Sequence, residues 1–295
     1  MEMKKYTKII RLGHRSTADV LNEGDQIIVQ EKLDGANASF RRDGEDLLAF
    51  SRNRQLDEHN SLRGFYQWVQ ETIDIRKIKP DYIYFGEWLV RHKLSYGDNE
   101  QLFYLFDIYS VSEQRYLPLE SVIKEADLLG IRTVPVFYTG EYRGFDHLSE
   151  FVGRSDLGAE GEGIVVKNVD YTDRFGNQLF VKLVSDRFRE IQKQKAPKDP
   201  KAVPAEALFV RSFLAEARVE KMLHKLVDEE VISEQFGIED MGIILKELGA
   251  RLFEDIIEEE SDSLPQEYEE REIRKAIGKT LPVQVKAIIP TRGGC

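Results

Sequence analysis

The sequence predicts an α+β protein in which an antiparallel-sheet domain is followed by a smaller all-helical one. Three observations carry this reading. Up to about residue 190 the chain holds short runs rich in aromatic and branched residues, as strands are. After residue 204 the apolar positions recur every three to four residues, the period of a helix. Between the two regimes, Lys195 to Pro204 carries three prolines in ten residues, which excludes a regular helix or a central strand there. The expected division is therefore a domain over 1–194, a Pro-rich linker over 195–204 and a helical domain over 205–295.

In chain order, Ile27-Ile28-Val29 leads into Glu31-Lys32, and Ala38-Ser39-Phe40 follows a glycine-containing turn, a strand–loop–strand pattern. Leu62, Phe65, Val69 and Ile73 have helical spacing, so a helix is expected between Asn60 and Ile75. Tyr82-Ile83-Tyr84-Phe85 and Leu102 to Phe106 read as strands. Ser121 to Leu129 reads as a helix stopped by Gly130. Ile164-Val165-Val166 and Leu179-Phe180-Val181 are two more short strands. In the tail, Val219, Met222, Leu223, Leu226 and Val227 form one helical stripe, and Ile243, Ile244, Leu248, Leu252, Ile256 and Ile257 another. The acidic runs 254–260 and 267–272 are expected to be solvated helix faces.

The net charge of −11 argues against a strong non-specific nucleic-acid binder, because phosphate binding draws on Lys and Arg. The charge is uneven. From Lys201 onward 13 Lys and Arg face 20 Asp and Glu, a balance of −7, which leaves −4 for the first 200 residues. A local basic groove is compatible with that. No run of about 18 apolar residues exists, so no membrane-spanning helix is expected. The N-terminus lacks the apolar core of a signal peptide. The only cysteine is Cys295, so no internal disulfide forms. A cytoplasmic protein is expected.

The chemistry-bearing residues begin at Glu31-Lys32-Leu33-Asp34-Gly35-Ala36-Asn37. A lysine is a nucleophile only when its amine is neutral, so a reactive Lys32 needs a lowered pKa, from burial or a nearby cation. Gly35 permits a tight turn or a close backbone approach. Alone, this segment is a weak signal and reads first as a strand ending in an Asp-Gly turn. It is followed, in order, by Ser51-Arg52-Asn53, Phe85-Gly86-Glu87-Trp88, Leu105-Phe106-Asp107-Ile108, Glu162 to Lys167, and Phe180-Val181-Lys182-Leu183.

That ordered series resembles the motifs of the covalent nucleotidyltransferases, the superfamily of DNA ligases, RNA ligases and mRNA capping enzymes, with their ATP-grasp-like ligase domain. The resemblance covers roughly Glu31 to Lys182. Within it the chain is most similar to ATP-dependent RNA ligases of the RNA ligase 2 type. Asn37, five residues after the lysine, matches their Lys-x-x-Gly-x-Asn pattern. The series starts close to the N-terminus, with no upstream DNA-binding region. Ala217 to Leu223 resembles the start of their helical C-terminal domain, where DNA ligases and capping enzymes usually carry an OB-fold. All-helix patterning over 205–260 argues against five short strands.

The resemblance implies three in-line displacements at phosphorus, in which catalysis is mainly positioning and charge neutralisation. Lys32 attacks the α-phosphate of ATP, AMP passes to a 5′-phosphate, and a 3′-hydroxyl expels AMP. By matched position, Lys32 is the nucleophile and Glu31 contacts the adenine. Asp34 and Asn37 orient the nucleotide or the nucleic-acid end, and Arg52 holds ribose or phosphate. Glu87 binds the ribose hydroxyls, and Phe106 stacks on adenine. Glu162 holds Mg²⁺ or Mn²⁺, and Lys182 touches the α-phosphate. Relatives carry a second lysine two residues after Lys182, where this chain has Val184. Either Lys167 or Arg187 compensates, or the phosphate grip is weaker. Strand alternation places Glu162 and Lys167 on opposite faces unless a bulge or strand end intervenes.

His14, His59, His92, His147 and His224 have no metal-ligand spacing and are expected to be surface or packing residues. The implied partners are RNA ends, or nicks in a duplex, in preference to DNA, acted on by a monomer. Arg211, Arg218, Lys221 and Lys225 of the tail are candidates for further phosphate contacts, and a protein partner for the acidic tail is the alternative. A DNA nick ligase, a guanylyltransferase, or a catalytically dead nucleic-acid-binding scaffold are the competing readings, since fold does not guarantee activity.

Overall fold

A computed structural model describes residues 3–188 and 204–292, and the chain divides into two compact units, 1–185 and 186–295. The stretch 195–203, which holds most of the expected linker, and Cys295 lie outside the described residues.

The first unit contains eleven described strands: β1 (Ile10–Arg11), β2 (Gln26–Lys32), β3 (Ala36–Asp43), β4 (Asp46–Ser51), β5 (Tyr82–Trp88), β6 (Phe103–Ser110), β7 (Arg115–Tyr116), β8 (Arg132–Thr133), β9 (Val136–Glu141), β10 (Gly163–Asn168) and β11 (Phe180–Val184). Three helices accompany them: α1 (Phe65–Thr72), α2 (Leu119–Leu129) and α3 (Phe145–Ser149). One sheet has the order β1-β11-β10-β2-β9 and the other β4-β3-β5-β6-β7, with β8 beside β6. All pairings are antiparallel except β1 with β11 and β6 with β8.

Alternation sorts the side chains of β2. Ile27 and Val29 enter a core with Val20, Leu148, Phe151, Ile164 and Val181 on one side of the first sheet. The other sheet buries Phe40, Tyr84, Trp88, Phe103 and Leu105 against α1 and α2. A smaller core, with Tyr6, Ile83, Phe85, Val165 and Phe180, joins residues of both sheets. The candidate site lies at one edge of that inter-sheet layer.

Two expectations need correction. The helix expected over 60–75 covers only Phe65–Thr72, because Leu62 and Arg63 both take a left-handed φ of 53° and the helix starts after them. The strands β4 and β9 were not anticipated; their apolar runs, Leu47 to Phe50 and Val136 to Tyr138, are only three or four residues long.

The second unit is helical as expected: α4 (Ala205–Phe213), α5 (Glu216–Asp228), α6 (Met241–Glu259) and α7 (Glu270–Arg292). One core unites Val219, Leu223, Leu226, Leu248, Leu252, Ile256, Ile277 and Leu281. The run 254–260 is not simply a solvated face. Arg218 is fully buried on α5, and its guanidinium pairs with Asp255 and, at 2.6 Å, with Glu260, itself 3% exposed. Arg218 is therefore part of the packing of this unit and is withdrawn as a phosphate contact. Among the described residues, no helix is long and apolar enough to cross a membrane.

Candidate active site

The strand register builds one wall of the site. Gly163 of β10 pairs with Lys32 on one side and Val184 on the other. Val165 likewise lies between Gln30 and Lys182, and Lys167 between Ile28 and Phe180. Residues paired across a sheet, and those two apart along a strand, share a face. Lys32, Lys182, Val184 and Lys167 therefore project from the same face. Gly163 is required here by packing, since a Cβ would lie 2.1 Å from the Leu183 carbonyl oxygen.

The Lys32 amine donates to Glu162 Oε2 at 2.5 Å. Burial alone pulls the Lys32 pKa down, but the negative charges of Glu162, Glu87 and Asp34 outweigh it, and the net direction is up. The expectation of a lowered pKa is thus not met in this ligand-free arrangement: the lysine rests as an ammonium held by carboxylates. Burial also pushes Glu162 up, opposed by Lys32 and by Lys182, which lies close enough to act on it.

Glu162 precedes β10, so strand alternation does not govern its side chain. That resolves the face conflict with Lys167, whose side chain points into the inter-sheet layer further along the strand. Its amine meets Asp107 Oδ1 at 2.7 Å and the Phe106 carbonyl at 3.0 Å. The register slips between β5 and β6 at Phe85/Gly86, with Phe85 opposite Asp107 and Gly86 opposite Leu105. Phe106 is the extra residue, and such a bulge lets neighbouring residues serve one side. Asp107 accepts from the Tyr6 hydroxyl, and the Phe106 ring lies 4.7 Å from the Tyr6 ring. Arg52 is near enough to act electrostatically on both Tyr6 and Tyr116. The structure thus gathers Phe106, Arg52 and Lys167 around Tyr6, and Lys32, Asp34, Glu87, Glu162 and Lys182 around the lysine amine.

Glu87 comes from β5, where it pairs with Asn37 of β3. Its Oε1 accepts the Gly35 N–H at 3.2 Å. A Cβ on Gly35 would lie 2.6 Å from the Trp88 carbonyl oxygen, so this glycine serves a close approach of two strands. Burial raises the Glu87 pKa to about 8, with Lys32 opposing and Glu162 reinforcing the shift.

Glu31 needs correction as a side chain directed at adenine. Adjacent strand residues face opposite ways, and its carboxylate is 2.5 Å from Ser155 Oγ and accepts the Asp156 N–H at 3.1 Å. The side chain fastens the loop that leads to Glu162.

The sequence reading also missed the segment after β5. His92 Nδ1 lies 3.6 Å from Asp34 Oδ1, while Asp34 Oδ2 accepts the N–H groups of Lys93 and Leu94, each at 2.9 Å. The Tyr96 hydroxyl accepts the Asp34 N–H at 2.9 Å. No spacing rule links His92 to Asp34, which are brought together by the pairing of β3 with β5.

For a divalent cation, the described residues contain no group of three or more His, Cys, Asp or Glu placed to hold one. Glu162 alone is compatible with Mg²⁺ or Mn²⁺, because a hard ion carried on substrate phosphates keeps several waters and needs only one or two carboxylates.

A family profile described as RNA ligase matches residues 25–184. Solved structures of Naegleria gruberi RNA ligase are similar to part of this chain. The form with pyrophosphate has 23% identity and a TM-score of 0.46, over 63% of this chain and 57% of that one. A mutant form with ATP and Mn has 22% identity and a TM-score of 0.43, over 62% and 56%. The chain thus spans little more than half of these relatives. No curated protein matches the chain significantly.

Proposed function

The chain belongs to the RNA ligase family, and on that premise we propose that it is an ATP-dependent enzyme joining 3′-hydroxyl and 5′-phosphate ends of RNA through a Lys32–AMP intermediate. The observation that carries the reading is the meeting of three carboxylates, Asp34, Glu87 and Glu162, around the Lys32 amine, with Lys182 close to Glu162. A surface lysine has no need of three carboxylates. A nucleophilic lysine that must stay fixed until a nucleotide arrives does.

In the first step the Lys32 ammonium gives one proton to solvent or to a carboxylate of the site, and the neutral amine leaves Glu162 and forms an N–P bond to the α-phosphate. The bond from that phosphorus to the β-phosphate oxygen breaks, pyrophosphate departs, and the second N–H proton is lost to leave the phosphoramidate. Glu87, largely enclosed and directed at the same space, hydrogen-bonds the ribose hydroxyls, helped by Asn37 beside it. Phe106 offers an apolar face to the base, since stacking tolerates any aromatic partner. Lys182 neutralises charge developing on the α-phosphate. Arg52 lies beyond the Tyr6 cluster as a phosphate or ribose contact. A cation bound with ATP would meet Glu162 and supply Lewis-acid polarisation of the phosphate. The first unit carries this chemistry, and the helical tail engages the nucleic-acid end or a protein partner.

The test is incubation with labelled ATP or GTP and Mg²⁺, without nucleic acid, for the wild type and Lys32→Ala. Labelling of the wild type by ATP alone, absent in the variant, supports the reading. Labelling by GTP makes it a guanylyltransferase, and sealing of nicked DNA in preference to nicked RNA makes it a DNA ligase. If neither nucleotide labels it and the purified protein carries no AMP, the scaffold reading replaces the enzyme.

A further inference from the structure

The helical unit divides its charge by element. From Lys201 onward the balance is −7, yet α7 alone carries six Lys and Arg against Glu270 and Glu272, a balance of +4, which leaves −11 for the rest. The α7 cations also share a face. Ile273, Ile277, Leu281, Val285 and Ile288 turn one side of the helix into the core. Arg271, Lys275 and Lys279 repeat every four residues, two positions out of step with that row and so about 200° round the helix, and all three are exposed. Lys286, seven residues on, rejoins them and is exposed too. The stripe from Arg271 to Lys286 is about 22 Å long. Lys275 bonds Glu272 at 2.9 Å, and with Arg271 and Lys279 it holds that carboxyl below its ordinary range. Among the described residues, Lys275 alone of these four cations is within ion-pair distance of an acid. Elsewhere in the unit, Arg218 and Lys221 meet Asp255 and Glu259, and Arg251 meets Glu229 and Glu247. The middle of the stripe is bare. Gly278 lies inside α7, where glycine weakens a helix, although a Cβ there would meet nothing within 4 Å. The chain's own packing does not require this glycine. Pro282, four residues on, has no N–H to give the Gly278 carbonyl. Both line a hollow with Arg274, whose guanidinium lies 3.5 Å from the Phe253 ring centroid.

We propose that the outer face of α7, from Arg271 to Lys286, is the surface with which the helical unit grips a nucleic-acid duplex through its backbone phosphates. A row of exposed cations along one helix meets a row of anions along one strand. Gly278 bares the helix backbone between them, so the duplex can come close. The remainder of the unit, at −11, repels phosphate and confines the contact to this face. Phosphate contacts position a duplex without reading its bases, so the grip is indifferent to base sequence. This inference rests on the sealing reaction proposed above, and it concerns substrate binding, a different event from lysine labelling.

The test titrates the full chain with a fluorescent nicked RNA duplex at several salt concentrations. Wild type is compared with the neutral variant Arg271→Gln/Lys279→Gln/Lys286→Gln and with the charge-keeping Arg271→Lys/Lys279→Arg/Lys286→Arg. Glutamine, lysine and arginine are all good helix formers. A further variant is Lys246→Gln, at an exposed position of α6. The neutral variant is expected to bind about tenfold or more weakly at about 0.1 M salt, and its slope of log K against log salt is shallower by about 2–3. The charge-keeping variant binds as wild type does, and Lys246→Gln keeps the wild-type slope. An unchanged slope in the neutral variant overturns the proposal and leaves the face to an acidic protein partner. Equal weakening by the charge-keeping variant overturns it too, because charge is then not what binds. So does a slope loss in Lys246→Gln equal, per charge, to that on α7, which makes the effect one of net charge. Loss of ATP labelling in proportion to loss of binding makes the stripe structural and also overturns it. Wild type that binds through the stripe but takes no label from ATP refutes the lysyl-AMP reading and leaves the surface standing. Wild type that takes label but binds the nick independently of the stripe refutes the surface alone.

Discussion

The amine of Lys32 and the carboxylate of Glu162 are 2.5 Å apart, although 130 residues separate them in the chain. Lys32 ends β2 and Glu162 immediately precedes β10, and the register pairing Gly163 with Lys32 brings the two ends together. Removing the carboxylate frees the amine but removes the proposed cation contact. Glu162→Gln is therefore expected to keep the fold and to slow self-labelling by about 10²–10³-fold, the scale of losing one electrostatic partner of a transferring phosphoryl group. Single-turnover labelling with ATP measures this, and an unaltered rate removes Glu162 from the reaction.

Glu87 carries a pH signature in the absence of ligands. Its folded pKa is about 8 against 4.5 for an ordinary glutamate, chiefly through burial. Between those values the folded chain keeps a proton that the unfolded chain releases, so stability falls as pH rises through the window. The limiting slope is about 1.4 kcal/mol per pH unit for one group. Glu87→Gln retains an acceptor for the Gly35 N–H and cannot ionise. In metal-free buffer its stability advantage over wild type should grow from near zero at pH 4.5 to about 1–3 kcal/mol at pH 8, after allowance for solvent at the mouth of the site. Urea melts at several pH values check the sign, and an advantage that shrinks with pH refutes it.

Lys167 and Asp107 form a pair of which each side chain is under a tenth exposed. Burial lowers the lysine pKa and raises the aspartate pKa. Lys167→Met strands a buried carboxylate and should cost about 3–5 kcal/mol. Lys167→Met with Asp107→Asn should recover a large part of that, because no uncompensated charge remains. A double-mutant cycle reads the coupling directly. A double-variant loss equal to the sum of the two single-variant losses would show that the pair is not coupled.

Val184 occupies the position where the family resemblance led to the expectation of a second lysine, on the same face as Lys32 and one strand beyond Gly163. Two strand spacings put their Cα atoms about 10 Å apart. Val184→Lys adds a cation within reach of a phosphate at the amine. It is expected to lower the KM for ATP several-fold, consistent with about 1 kcal/mol from one partly exposed charge. An unchanged KM would mean that Lys182 and its neighbours already saturate the phosphate.

Arg218 tests the helical unit separately. Arg218→Leu leaves Asp255 and Glu260 without their guanidinium and should destabilise that unit by about 3–5 kcal/mol. Arg211→Ala, at an exposed position, should change stability by under about 0.5 kcal/mol. Helical CD melts distinguish the two, and equal melts would contradict the buried network.

The sequence by itself determined the succession of sheet and helix, because strand-forming runs and helical periodicity are local signals. It also located Lys32, Glu87, Glu162 and Lys182, because each lies in a short segment whose residue types and order are specific to one chemistry. Tertiary structure alone decided which way the side chains face and what they meet. The β5–β6 register slip brings Phe106 and Asp107 together at Tyr6, and alternation turns Glu31 away from Lys32. The β3–β5 pairing places His92 beside Asp34, residues that no sequence spacing connects. The lysine's charge state was likewise out of reach, since it depends on burial and on Glu87 and Glu162, which arrive from distant segments. Local pattern records the intrinsic preference of a segment, whereas register, bulges and long-range electrostatics arise only when segments pair.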